Sequence, residues 1–154
     1  MRIESEEGGF EDFVVELMAE TEEAAKVAVF DAVTFLRGRV LEKLTGNRSG
    51  RTYRVPDTDG AFYVASAPGQ PPASATGTLR QNINASRVES DGVEVSASVG
   101  VDLSVVPYAR RLEFGGAHVQ GGTVVRTLPR PYLRPAFDEN RSEAEARMQR
   151  ALDR

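Results

Sequence analysis

The chain has 154 residues, 40% hydrophobic, 27% charged and 7% aromatic, a globular mixture of single-domain length that buries roughly two thirds of the surface its unfolded form exposes. Nineteen Lys and Arg against 23 Asp and Glu leave a net charge of −4, too acidic for a protein whose main work is gripping nucleic acid by its phosphates. Zero Cys excludes disulfide scaffolds, thiolate zinc sites, iron–sulfur clusters and cysteine nucleophiles, and the single His, His118, excludes multi-histidine metal centres.

Residues 1–9 form an acidic N-terminal segment with no basic region followed by an apolar run, so no secretory signal is expected. The most apolar window, Val27 to Leu36, is broken by Asp31 and Thr34 and is too short to span a bilayer, so no membrane partner is expected. Asn-x-Ser triplets at Asn47, Asn84 and Asn140 would matter only in a secretory compartment. Synthesis and use in a cytoplasm is the expectation.

Residues 10–44 read as one long helix. Gly8 and Gly9 precede it, Gly46 and Asn47 follow it, and Phe10, Val14, Leu17, Thr21, Ala25, Ala28, Ala32, Leu36 and Val40 recur at close to 3.6 residues. A strict 3.5 repeat would put Asp31 and Gly38 in the seam, which argues against a two-stranded coiled coil. Acidic residues crowd the entry to this helix and its first half (Glu4, Glu6, Glu7, Glu11, Asp12, Glu16, Glu20, Glu22, Glu23), and Arg37, Arg39 and Lys43 its exit, each sign suiting its end of the dipole. Val27, Val29, Phe30, Val33, Phe35 and Leu36 cover nearly the whole circumference, which predicts burial on more than one side. About 35 helical residues would run about 52 Å, against a body roughly 38 Å across. The helix either breaks near Gly38 or protrudes to meet another subunit, and protrusion is the preferred expectation.

Residues 45–78 hold a hairpin and a Pro/Gly-rich loop. Arg51 to Val55 and Ala61 to Ala65 are β-prone runs around Pro56-Asp57-Thr58-Asp59-Gly60. Asp57-Thr58-Asp59-Gly60 touches on a calcium loop, but the closing Glu is missing and an ordinary turn fits better. Ser66 to Gly77 is a loop or arm able to reach a neighbour. Residues 79–130 supply a sheet: Thr78 to Ile83 a helical turn, Ile83 to Glu89 a strand, Asp91-Gly92 a tight turn, and Val93 to Val99 a perfectly alternating strand with one packed face. A short helix over 107–114 is started by Pro107 and stopped by Gly115-Gly116; a Gly-rich loop bearing His118 then leads to a last strand, Thr123 to Thr127. Residues 131–154 form a C-terminal helix with Pro135 in its first turn and Phe137, Ala144, Met148 and Leu152 on one stripe. The fold class expected is α+β: a long N-terminal helix and a C-terminal helix packed on a small antiparallel β-sheet, with an extended hairpin/loop arm, in a single domain spanning 1–154.

No nucleophile–base–orienter set is compelling. His118 lies between two Gly pairs, a poor platform for a catalytic group, and a small hydrolase built on it is the weakest reading. The acidic runs read as solvated faces, not as a glycosidase pair, and the Gly-rich segments match no phosphate-binding or dinucleotide fingerprint. No catalytic residue, cofactor or metal site is expected. Arginines do cluster near tyrosines: Arg48, Arg51 and Arg54 near Tyr53, and Arg126, Arg130 and Arg134 near Tyr132. Basic groups interleaved with aromatics are the basis of an alternative reading, a nucleic-acid-associated binding module.

The order of five motifs is more specific than any one of them. They are Gly50-Arg51-Thr52-Tyr53, Ser66-Ala67-Pro68-Gly69-Gln70-Pro71-Pro72-Ala73, Thr76-Gly77-Thr78-Leu79-Arg80-Gln81-Asn82-Ile83, Val106-Pro107-Tyr108-Ala109-Arg110-Arg111-Leu112-Glu113-Phe114-Gly115-Gly116 and Arg130-Pro131-Tyr132-Leu133-Arg134-Pro135-Ala136-Phe137. Together, from about Ala24 onward, they resemble the tail-component family of lambda-like long-tailed phages and prophages, which includes neck, tail-completion and head–tail-joining proteins. The resemblance implies a structural virion protein without catalytic residues. It would be a ring subunit (hexameric in one reading) at the head–tail connector or tail terminator, made in the host bacterial cytoplasm. Its neighbours would be head-completion or adaptor proteins and the major tail protein, with genomic DNA passing through the lumen without specific binding. The acidic segment before Gly9 falls outside the pattern.

From the residues themselves, Arg110, Arg111, Glu113 and Phe114 are the candidates for subunit or partner contacts, because Arg–Glu pairing beside an aromatic anchor suits an interface. Tyr53 and Arg54 on the first hairpin join them. The competing reading is that Tyr108, Leu112 and Phe114 cover the sheet.

Overall fold

A computed structural model describes residues 22–154 in full, together with the strand pairing of Arg2–Ser5 (β1) and Phe13–Leu17 (β2). The order continues α1 (Glu22–Lys43), β3 (Thr52–Arg54), β4 (Phe62–Val64), α2 (Thr78–Gln81), β5 (Ile83–Ala85), β6 (Glu89–Ser90), β7 (Val95–Val101), α3 (Ala109–Phe114), β8 (Gly116–Gln120), β9 (Thr123–Thr127) and α4 (Leu133–Leu152). This is an α+β fold.

β7 is the centre of the main sheet, in the order β1-β2-β7-β5, with β6 also paired to β7 and every pairing antiparallel. Its strict alternation does what the sequence predicts: Val95, Ala97, Val99 and Val101 are buried while Ser96, Ser98 and Gly100 point to the other, half-open face. The turn before it is held by Asp91, whose Oδ1 accepts from the amides of Val93 (2.9 Å) and Glu94 (2.8 Å).

α1 lies on the sheet through β7, β5 and β2, and α4 packs on α1. Ala25, Ala28 and Ala32 are fully buried and let these layers approach closely; Val29, Val33, Leu36 and Val40 fill the space with Ile83, Val99, Leu133, Phe137 and Met148. At the rim, Lys43 Nζ lies 2.6 and 2.7 Å from the two carboxylate oxygens of Glu139, and the Arg39 and Arg147 guanidinium groups lie 4.9 and 4.4 Å from the Phe35 ring centroid. Burial on two sides matches the expectation for this helix, except that Val27 and Phe30 are exposed. Among the described residues no helix is long and apolar enough to cross a membrane.

The helix expected over 10–44 is corrected. Phe13-Val14-Val15-Glu16-Leu17 is a strand, paired Phe13↔Val99 through Leu17↔Val95 along the edge of β7, and the helix starts only at Glu22. Two adjacent β-branched residues favour extended backbone, and the open donors and acceptors of β7 need a partner; together these outweigh a helical spacing of apolar residues. The parts of the expected helix at 10–12 and 18–21, and of the acidic segment at 1 and 6–9, lie outside the described residues; Arg2–Ser5 is strand. At 22 residues α1 spans about 33 Å, so neither a break nor an overhang is needed, and Gly38 sits inside continuous helix.

A second correction concerns His118. Its segment is not a loop but β8, paired with β9 in the register His118↔Val125. The strand expected over 83–89 is two short pieces, β5 and β6, because Ser86 bulges out to take the amide of Ser98 on its own hydroxyl (2.9 Å).

Candidate interaction surface

Two hairpins stand outside the main sheet, β3–β4 and β8–β9, each a separate two-stranded ribbon. Each is rooted at a glycine where backbone passes close. Gly50 donates to the Ala65 carbonyl at 2.9 Å, and a Cβ on it would lie 2.5 Å from that oxygen. Gly115, at φ +75°, leaves no room for a Cβ beside Pro129 Cδ and the Thr127 carbonyl, both at 2.9 Å. The hairpins carry apolar side chains outward: Phe62 is 67% exposed on the first, Val119 and Val124 70% and 66% on the second. Such residues on an isolated ribbon gain nothing from the chain's own core, and contiguous exposed apolar surface marks an interaction site.

Between the first hairpin and α3 lies a cleft of about 590 Å³, the size of a ligand pocket. Its walls are mainly apolar, with Leu44, Ala65, Leu79 and Leu112 among them, and it carries Arg80 and Arg130 with no carboxylate. Arg130 ties the neighbourhood together: its amide donates to Leu112 O at 2.7 Å and its Nε to Ser66 O at 3.4 Å. Arg48 fixes another corner, donating to carbonyls of Lys43, Thr45, Gly46, Asn47 and Pro72 at 2.9–3.3 Å, which closes the end of α1 and pins the Pro-rich loop. Burial pushes the Tyr108 hydroxyl on the cleft wall above its ordinary range.

The six residues singled out in the sequence separate. Arg110 is exposed, Arg111 half-buried, and Phe114 exposed with the Arg134 guanidinium 5.8 Å from its ring centroid. Tyr53 is exposed and packs against Tyr63 with ring centroids 6.0 Å apart; Arg54, also exposed, donates weakly to the Thr58 carbonyl at 3.5 Å. Glu113 is corrected: at 3% exposed it is not a surface group. Its carboxylate turns inward and accepts from the amides of Tyr132 (2.8 Å), Leu133 (3.0 Å) and Arg134 (2.9 Å). These are the first donors of α4, and the next residue, Pro135, has none, so a carboxylate 19 residues away completes the cap.

Of the competing reading, Leu112 and Tyr108 do pack against the core. His118 is half-buried with Nδ1 unbonded, and among the described residues no three His, Asp or Glu converge as a metal site. Sequence reasoning missed the cleft altogether; its lining comes from six separate segments. The chain matches no family model, no curated protein and no solved structure.

Proposed function

We propose that the chain is a structural subunit of a phage neck, a head–tail connector or tail-completion ring through which DNA passes. The observation that carries this reading is the pair of hairpins outside the core with apolar side chains turned to solvent. A subunit that completes its surfaces on a neighbour needs such arms, and a closed ring of head-to-tail contacts gives each arm a place. The order of the five motifs supports it from the sequence side. The acidic balance suits a lumen lined by acidic or neutral side chains, which does not retard DNA. Partners are copies of the chain, then the head-completion or adaptor and major tail proteins beside it in the virion.

Electron microscopy and mass photometry of the purified chain, alone and mixed with those neighbours, test the reading. A closed ring supports it. A monomer in every mixture, or particles that join capsid to tail without the protein, overturns it.

One observation favours the second reading, a nucleic-acid-associated module. Arg51, Arg80, Arg87, Arg110, Arg111 and Arg126 make no ion pair among the described residues, whose pairs all lie on α1 and α4. Salt-sensitive retention of duplex DNA by the purified protein would select this reading over the first.

A further inference from the structure

We propose that the cleft beside α2 and α3 receives the β3–β4 tip of a second copy of this chain. The proposal rests on the reading that copies assemble, and adds which surfaces meet. The two surfaces are complementary in charge. The cleft brings Arg80 and Arg130 to an otherwise largely apolar lining that contains no acid. The tip carries Asp57 and Asp59, both exposed and without an ion pair among the described residues. Arg80 likewise has no carboxylate partner among them, so each side holds charge that its own subunit leaves uncompensated.

The surfaces are also complementary in polarity. Phe62 follows the acidic turn and is exposed, while Leu44, Leu79 and Leu112 wall the cleft. An aromatic anchor entering a mainly apolar cleft, flanked by acid–arginine pairs at its mouth, is the arrangement that concentrates binding energy at protein interfaces. The hairpin is two-sided in a way that allows this. Tyr63 turns toward the cleft of its own subunit and Phe62, the next residue along the strand, is exposed. Pro56 and Tyr63 of the same hairpin line the cleft, but Asp57, Asp59 and Phe62 do not, so the donor side chains and the acceptor cleft differ and the contact is head-to-tail and can repeat until it closes.

The absence of native cysteine makes the test clean. Asp59→Cys and Arg80→Cys proteins, mixed under mild oxidation, are expected to give an intermolecular disulfide in about tenfold the yield of an Asp59→Cys and Ser142→Cys mixture, because seated neighbours raise the effective concentration. Ser142 is exposed on α4 and serves as the control. Arg80→Glu and Asp59→Arg should each weaken self-association by about tenfold or more, and the two together should restore it; circular dichroism checks that each variant folds. Equal cross-linking in both mixtures overturns the proposal, as does a chain that stays monomeric at every concentration. An Arg80→Glu effect on retention of duplex DNA or an acidic peptide, without an effect on self-association, assigns the cleft to a foreign ligand and overturns it too. Selective cross-linking in a closed two-membered pair keeps the tip–cleft contact and removes the ring; a ring without selective cross-linking does the reverse.

Discussion

The carboxylate of Glu113, near the end of the short helix α3, accepts a 2.8 Å hydrogen bond from the amide of Tyr132, the residue on which the long helix α4 begins. One side chain thereby fixes the angle between the two helices and satisfies a buried helix start that has no cap of its own. Glu113→Ala leaves three amides unbonded, those of Tyr132 and Leu133 in a buried site and that of Arg134 at its edge, and should cost about 3 kcal/mol. Glu113→Gln keeps one acceptor and should lose about half as much. Urea denaturation reads both as a lower midpoint at unchanged slope; an unchanged midpoint for the Ala variant would refute the cap.

The same relationship shows how far the chain can be read without coordinates. Pro135 announces a helix start because a residue with no N–H is tolerated only there, and the alternation of Val93 to Val99 announces a sheet with one packed face; both stand in the structure within two residues. Glu113 was legible as important and not as inward-facing, because its partner is set by the packing of α3 on α4 and not by any local spacing. Phe13–Leu17 misread for the opposite reason: its local spacing fits a helix, and only the open edge of β7 makes it a strand. The cleft left no sequence signal, since no periodicity links Leu44, Ala65, Leu79 and Leu112.

Tyr132 is fully buried and its hydroxyl has no hydrogen-bond partner among the described residues. Burial, then the Glu113 carboxylate and Tyr108, push its ionisation far above the ordinary phenol range. Tyr132→Phe removes an unpaid polar burial and keeps the ring, so its effect should lie between no loss and a gain of about 1 kcal/mol. A loss above about 1 kcal/mol in thermal or urea unfolding would mean the hydroxyl has a partner after all.

Glycines at three places should respond with opposite signs. A Cβ at Gly38, inside α1, meets nothing within 4 Å, so Gly38→Ala should stabilise by about 0.5–1 kcal/mol through helix propensity. Gly115→Ala would force φ +75° on a side chain that strikes Pro129 and the Thr127 carbonyl, costing about 1–3 kcal/mol. Gly50→Ala strikes the Ala65 carbonyl and should splay the first hairpin, seen as faster amide exchange at Ala65. Equal behaviour of the three variants would contradict this.

Acid should act on two turns. The amides of Glu94 and then Val93 hold the Asp91 carboxyl below its ordinary range, and the Ser104 hydroxyl and then its amide do the same for Asp102. Both groups have folded values below the unfolded one, so the stability they add is present above an unfolded pKa of about 3.9 and is lost as pH falls through the folded values. Unfolding midpoints should therefore drop below about pH 4, and Asp91→Asn with Asp102→Asn should flatten that drop. An unaltered acid limb in the double variant would rule these turns out as its source.

The packing of α4 on α1 has a consequence for how the protein is made. The inner face of α1 is covered by Leu133, Phe137, Ala144 and Met148, which emerge from the ribosome about a hundred residues later and thus, at about 5–20 residues per second, several seconds later. Until then a growing chain holds an uncovered apolar stripe, with long-range pairings to β7 still to form, and folding that waits on distant contacts is slow and open to clumping. Expression should depend on chaperone supply and fall sharply when α4 is deleted, even though both hairpins would be intact.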